Sequence, residues 1–172
     1  MELRKAEREQ TAFLLSQVGA HAASLFGQRL LALELTPPDA GILRLLRMAA
    51  GISQQELAAR LQIHPSRLVA VLDNLETRKL VERKPNSEDR RLYSLHLTRE
   101  GHEILAKIGQ ISLQHQQALC SALTEEERDK LAELLQKIAD AQGLSPGIHP
   151  GYQRLREARP RQTKPSRSPG RR

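Results

Sequence analysis

Two short groups of polar residues stand at the starts of apolar helical runs. Ser53, Gln54 and Gln55 open one run, and Ser66 and Arg67 open the next. Side chains of these types, beside the free backbone N–H groups of a helix start, are donors suited to phosphates and to the base edges of DNA. An exposed helix start without a ligand is the alternative interpretation of Ser66 and Arg67.

A second group of charged residues follows at a predicted β-hairpin. Its basic members are Arg83, Lys84, Arg90 and Arg91. Asp89, two residues before Arg91, is spaced to accept from the Arg91 guanidinium and hold it extended towards a minor groove. The hairpin therefore predicts contacts with a polyanion, and a solvated hairpin tip is the alternative.

Capping signals and apolar periodicity predict the elements that position these residues. Ser53 forms a capping box with Glu56, and Pro65 begins a second helix after a short turn. This helix pair predicts a helix-turn-helix over 53–78, and the period then changes to that of a hairpin over 80–97. A helix-turn-helix followed by a hairpin is the outline of a winged helix.

Longer helical patterns flank this unit and predict a mainly α fold. We expect a first helix over about 5–33, a second after Thr36, and a long helix over about 99–123. A second capping box, at Thr124, opens a last helix. Four of its residues are expected to face inward: Leu131, Leu134, Leu135 and Ile138.

The net charge of +7 lies in the last thirty residues. Residues 1–142 are charge-balanced, whereas residues 143–172 hold eight basic residues and one acidic residue, Glu157. This segment also holds five of the nine prolines and almost no apolar residues. We therefore expect a domain over 1–142 and a disordered basic tail over 143–172. The tail would either bind along the phosphates of DNA or serve only to keep the protein soluble.

Composition and motifs argue against several classes of protein. The single cysteine, Cys120, excludes a disulfide framework and multi-cysteine metal sites; we expect a small buried hydrophobe there, with a redox sensor as the alternative. The N-terminus has no signal-peptide pattern, and no apolar run approaches the roughly 18 residues of a membrane span, so we expect a cytoplasmic protein. His102 and Glu103 begin a zinc-protease motif, but Ala106 replaces its second histidine. We expect no enzyme activity, no cofactor and no metal.

Taken together, three stretches resemble the MarR family of multiple-antibiotic-resistance-type regulators. They are LRLL, SQQELAARLQIHPSRLVAVLDNLE and LVERKPNSEDRRLYSLHLTREG. Asp89 and Arg91 match the Asp-x-Arg wing signature of the family, and Gly101 follows Thr98 at the expected distance. The resemblance covers about residues 8–142. It implies a winged helix-turn-helix with a two-stranded β-wing and a dimerisation region built from the N- and C-terminal helices.

The function implied by this resemblance is transcriptional regulation, usually repression, by a homodimer on a pseudo-palindromic operator. A small-molecule ligand or another signal would relieve it. His21 and His115 are candidates to line a cavity for a small aromatic or phenolic effector, with core or interface histidines as the alternative.

The chain departs from the family pattern at three positions. Val69 and Ala70 stand where many relatives carry polar or basic readers, and Lys79 stands where a glycine usually ends the recognition helix. Two rival functions remain open: an architectural DNA binder that ignores sequence, and a winged-helix module that binds another protein.

Overall fold

The computed structural model describes residues 10–86, 93–145 and 147–148. Within these ranges the chain forms six α-helices and one two-stranded sheet. In chain order they are α1 (Thr11–Leu30), α2 (Pro37–Met48), α3 (Gln54–Leu61), α4 (Pro65–Thr77), β1 (Val81–Pro85), β2 (Tyr93–Leu97), α5 (Arg99–Leu119) and α6 (Glu125–Ala141). The predicted fold class, mainly α with a β-wing, is confirmed. No helix in this part of the chain is long and apolar enough to cross a membrane.

The hydrophobic core lies inside the winged-helix unit. Buried leucines of α2, α3 and α4 meet one another and β2, and they are joined by Leu30 at the end of α1 and by Leu105 and Ile108 of α5. Burial of this kind supplies most of the stability of a domain. The unit that presents the polar helix starts is therefore also the packed part of the chain.

The strands β1 and β2 pair antiparallel, with Val81 opposite Leu97 and Pro85 opposite Tyr93. The segment before α3 is hydrogen-bonded to β2 by an isolated bridge. The Gly51 N–H donates to the Leu95 carbonyl at 3.0 Å, and the Leu95 N–H donates to the Ile52 carbonyl at 2.9 Å. These bonds fix the start of α3 against the wing.

The boundaries differ from the prediction where tertiary contacts decide them. The first helix ends at Leu30 and continues as a 3₁₀ turn, and α5 ends at Leu119 rather than near residue 123. The prediction that the leucines of α6 face inward is wrong for the single chain, because they are exposed. Pattern alone identifies an apolar face, but it does not say whether the same chain covers that face.

Candidate nucleic-acid interface

The start of α3 carries the predicted capping box. The Ser53 hydroxyl accepts from the Glu56 N–H at 3.2 Å, and the Ser53 N–H donates to the Glu56 carboxylate at 3.0 Å. The bond donated by the Ser53 N–H, followed by the effect of the Ser53 side chain, lowers the pKa of the Glu56 carboxyl below its usual value. Gln54 is half-buried and Gln55 is exposed, which places polar side chains at the surface of the helix start.

The start of α4 has a cap that the sequence analysis missed. His64 is the N-cap residue, and its Nδ1 accepts from the Ser66 N–H at 3.4 Å and lies 2.8 Å from the Ser66 hydroxyl. The position directly before Pro65 was the available signal, because proline favours the first helical position. Ser66 is exposed and Arg67 is half-buried, at the helix end that the winged-helix fold turns outward.

The two described basic residues of the wing, Arg83 and Lys84, have different surroundings. Lys84 is exposed and pairs with Glu82 at 2.8 Å. Arg83 instead turns towards α4, where its guanidinium pairs with Asp73 at 2.7 Å and also with Glu76. The other predicted wing residues, Asp89, Arg90 and Arg91, lie outside the described residues, so their arrangement stays a prediction.

At the end of α4, Lys79 adopts the backbone conformation that suits the glycine usual at this position in the family. Its φ is +57°, in the left-handed region, and its N–H donates to the Glu76 carbonyl at 2.8 Å. The Leu80 N–H donates to the Leu75 carbonyl at 2.9 Å, which completes a Schellman motif. A lysine thus occupies a conformation that glycine adopts without strain.

Arg78 ties this end of α4 to the turn after α1. Its guanidinium donates to the Leu33 carbonyl at 2.9 Å and to the Glu34 carbonyl at 2.7 Å. The partners lie more than forty positions earlier in the chain, so no local pattern predicts the contact. Helix α4 is therefore bound both to the wing, through Arg83, and to the turn after α1, through Arg78.

Gly101 of α5 lies directly against the backbone at the start of the wing. A Cβ built on it would lie 2.0 Å from the Leu80 carbonyl oxygen, which no side chain allows. Thr98 caps the same helix by accepting from the Gly101 N–H at 2.9 Å, and its hydroxyl donates to the Lys79 carbonyl at 2.5 Å. The Leu-Thr-x-x-Gly pattern in the sequence thus has a steric and a capping reason.

His115 and His21 have different surroundings. The His115 ring packs on Phe26 of α1, with ring centroids 5.5 Å apart. Within the described part of the chain its buried Nδ1 lacks a hydrogen-bond partner. Burial, and then the positive charge of Arg29, lower the pKa of His115 below its usual value. His21 is exposed on α1, and no described contact joins it to His115.

The described residues contain no cluster of three or more histidine, cysteine or acidic side chains that is suited to a metal ion. Cys120 is half-buried at the end of α5.

Apolar residues outside the winged-helix unit are left exposed. On α1 and the following turn they include Phe13, Leu14, Val18 and Leu31, and on α5 and α6 they include Leu113, Leu131, Leu134, Leu135 and Ile138. Large exposed apolar patches on a protein surface usually mark protein–protein interfaces.

Comparison with known proteins assigns these features to a family. The model of the MarR family matches residues 33–92. The chain is 33% identical over 111 residues to the transcriptional repressor MdtR of Bacillus subtilis, covering 62% of this chain and 69% of MdtR. It is 34% identical over 104 residues to a putative transcriptional regulatory protein for the hcr operon of Thauera aromatica, covering 60% of this chain and 63% of that protein.

Solved structures of the same fold support this assignment, and some of them are bound to DNA. The repressor CouR on a 23-mer duplex matches with a TM-score of 0.68 and 32% identity, covering 77% of this chain and 94% of that chain. A cysteine-to-serine mutant of Escherichia coli MarR with operator DNA matches with a TM-score of 0.64 and 30% identity, covering 77% of this chain and 95% of that chain. This chain therefore belongs to the MarR family of DNA-binding transcriptional regulators, which are not enzymes.

Proposed function

We propose that this protein is a transcriptional repressor that binds a pseudo-palindromic operator as a homodimer and is released by a small-molecule ligand or another signal. One observation carries the proposal: a packed winged-helix unit presents two polar helix starts, while the flanking helices expose an apolar surface. DNA-bound relatives of the same fold support it.

In this proposal Ser66 and Arg67 enter the major groove and contact base edges, because they lie in the first turn of the recognition helix α4. A second group of residues contacts phosphates: Ser53, Gln54 and Gln55 at the start of α3, and Lys84 and Arg90 of the wing. Asp89 accepts from the Arg91 guanidinium and holds it extended towards the minor groove. Val69 and Ala70 add apolar contacts to thymine methyl groups.

The dimer is proposed from the uncovered helices. Phe13 is 64% exposed and the four apolar residues of α6 are 40–47% exposed in the single chain. At about 25 cal/mol per Å² of buried apolar surface, a second copy that covers α1 and α6 gains substantial free energy. A two-fold dimer also places two copies of α4 in successive major grooves about 34 Å apart.

The effector is proposed to bind beside His115. Phe26 supplies an aromatic surface, Arg29 supplies positive charge, and the His115 Nδ1 is a buried polar atom that a ligand can satisfy. These groups suit a small aromatic acid or phenol. His21, exposed on α1, stays a weaker candidate for the same cavity.

The division into a domain over 1–142 and a basic tail over 143–172 belongs to the same proposal. The last described helix ends at Ala141, and residues 149–172 lie outside the described residues. Their eight basic residues would add phosphate contacts that carry no sequence information.

Selection of bound duplexes from a random pool, followed by footprinting and light scattering, tests the proposal. A pseudo-palindromic footprint from a dimer is the expected result. Equal binding to every duplex would favour the architectural role, and absence of binding even at low salt would favour the protein-interaction module. A monomer at micromolar concentration would contradict the dimer.

A further inference from the structure

Arg83 lies on strand β1 of the wing, and its side chain reaches the recognition helix α4. Its side chain is 20% exposed, and its two terminal nitrogens go to two different carboxylates of α4. Nη2 donates to Asp73 at 2.7 Å, and Nη1 donates to Glu76. These three side chains form what we term the wing clamp, in which one planar guanidinium joins β1 to two residues of α4.

The two acids are poorly placed for a DNA-binding helix. Asp73 follows Ser66 and Ala70 along the exposed face of α4 at helical spacing, and its side chain is 56% exposed. Glu76 lies one turn later and is 41% exposed. Two bare carboxylates here would repel the phosphates of any duplex that reaches Ser66.

We propose that Arg83 is a positioning residue that neutralises Asp73 and Glu76 and holds the wing against α4, rather than a residue that contacts phosphate itself. This inference rests on the proposed DNA-binding function and changes the role expected for Arg83. Lys84, the next residue, remains the outward-facing cation of β1. In this proposal Arg83 neutralises the acids of the recognition helix, and Lys84 contacts the DNA.

Four proteins test the clamp: wild type, Arg83→Gln, the acid-neutralised Asp73→Asn/Glu76→Gln, and the combination of all three changes. Binding is measured to a duplex that the wild type selects from a random pool and to a duplex of random sequence. We expect Arg83→Gln to weaken binding to both duplexes by roughly tenfold. Neutralising the acids should restore about that factor in the Arg83→Gln protein but change binding less than about twofold when Arg83 is present. Equal gains in both backgrounds would overturn the proposal.

Two further variants test whether the lost affinity comes from the clamp, from a direct contact of Arg83 with phosphate, or from the change in net charge. A lysine serves a phosphate as a point charge but cannot donate to two carboxylates in fork geometry, so Arg83→Lys should lose an intermediate amount. Full affinity in Arg83→Lys would contradict the clamp. Arg47→Gln on α2 removes the same charge from an exposed site and is the matched control; a loss equal to that of Arg83→Gln would reduce the effect to net charge.

Thermal unfolding of the same four proteins without DNA keeps this test distinct from that of the proposed function. The clamp predicts that Arg83→Gln lowers the melting temperature more when both acids are present than when they are neutralised. Additive shifts would overturn it. Should the wild type bind no duplex at all, the DNA-binding proposal fails while the unfolding cycle still decides whether Arg83 holds β1 to α4.

Discussion

Replacing Lys79 with glycine should stabilise the protein. The residue has a φ of +57° at the end of α4, where an L-residue with a side chain carries a cost of about 1–2 kcal/mol. Glycine removes that cost but gives the unfolded chain more freedom, worth about 0.4–1 kcal/mol. The difference leaves a net gain of about 0.5–1 kcal/mol.

We expect almost the whole of this gain in stability to be measurable, because little is lost with the Lys79 side chain. The Lys79 side chain is exposed, and the bonds of the turn are made by its backbone N–H and carbonyl, which glycine retains. For a chain of this size, 1 kcal/mol shifts the melting temperature by about 2–4 °C. We therefore expect Lys79→Gly to raise it by about 1–4 °C.

Calorimetry or circular dichroism melting measures the shift, and Lys79→Ala is the matched control. Alanine also removes the lysine side chain but keeps the strained conformation, so its melting temperature should stay near that of the wild type. Gln62→Gly, at a φ of +54° after α3, should show a gain of the same sign. A Lys79→Gly protein no more stable than Lys79→Ala would refute the assignment of strain to this turn.

Three other changes have expected outcomes. Gly101→Ala should lower the melting temperature sharply because its Cβ would overlap a backbone carbonyl oxygen, whereas Gly109→Ala on the same helix, with nothing within 4 Å, should not lower it. Because the pKa of His115 is lowered in the folded state, the unfolded state binds more protons than the folded state as the pH falls below about 6.5. Unfolding measurements should therefore show that His115→Phe loses less stability than wild type between about pH 7.5 and pH 5.5. Truncation after Gln142 should weaken binding to all duplexes by a similar factor and flatten the plot of log K against log salt by about 0.9 per lost phosphate contact; identical slopes would contradict a role of the tail in binding.

The features that sequence predicts here are those with local causes. The capping boxes at Ser53 and Thr124 depend on residues three positions apart, and each is found where the pattern places it. The left-handed conformation of Lys79 is likewise local, but the signal for it was the glycine that the resembling family usually has at this position. The partners of Arg78 and Arg83 are not local in this sense. Their acceptors come from other elements, so only packing brings them together.

The alternation of side chains along β1 explains why the sequence did not predict that Arg83 faces α4. The same alternation is the signal that could have predicted it. Successive residues of a strand face opposite sides, so Arg83 shares the side of Val81, which is buried, and Lys84 shares the outward side of Glu82. Arg83 also lies opposite the fully buried Leu95. Sequence alone leaves this parity ambiguous because Leu80 and Val81 are both apolar, and a shift of one residue exchanges the two sides. Once the register is fixed, Arg83 lies on the inward side of β1, where it pairs with Asp73 and Glu76 of α4. Lys84 then lies on the side that faces solvent.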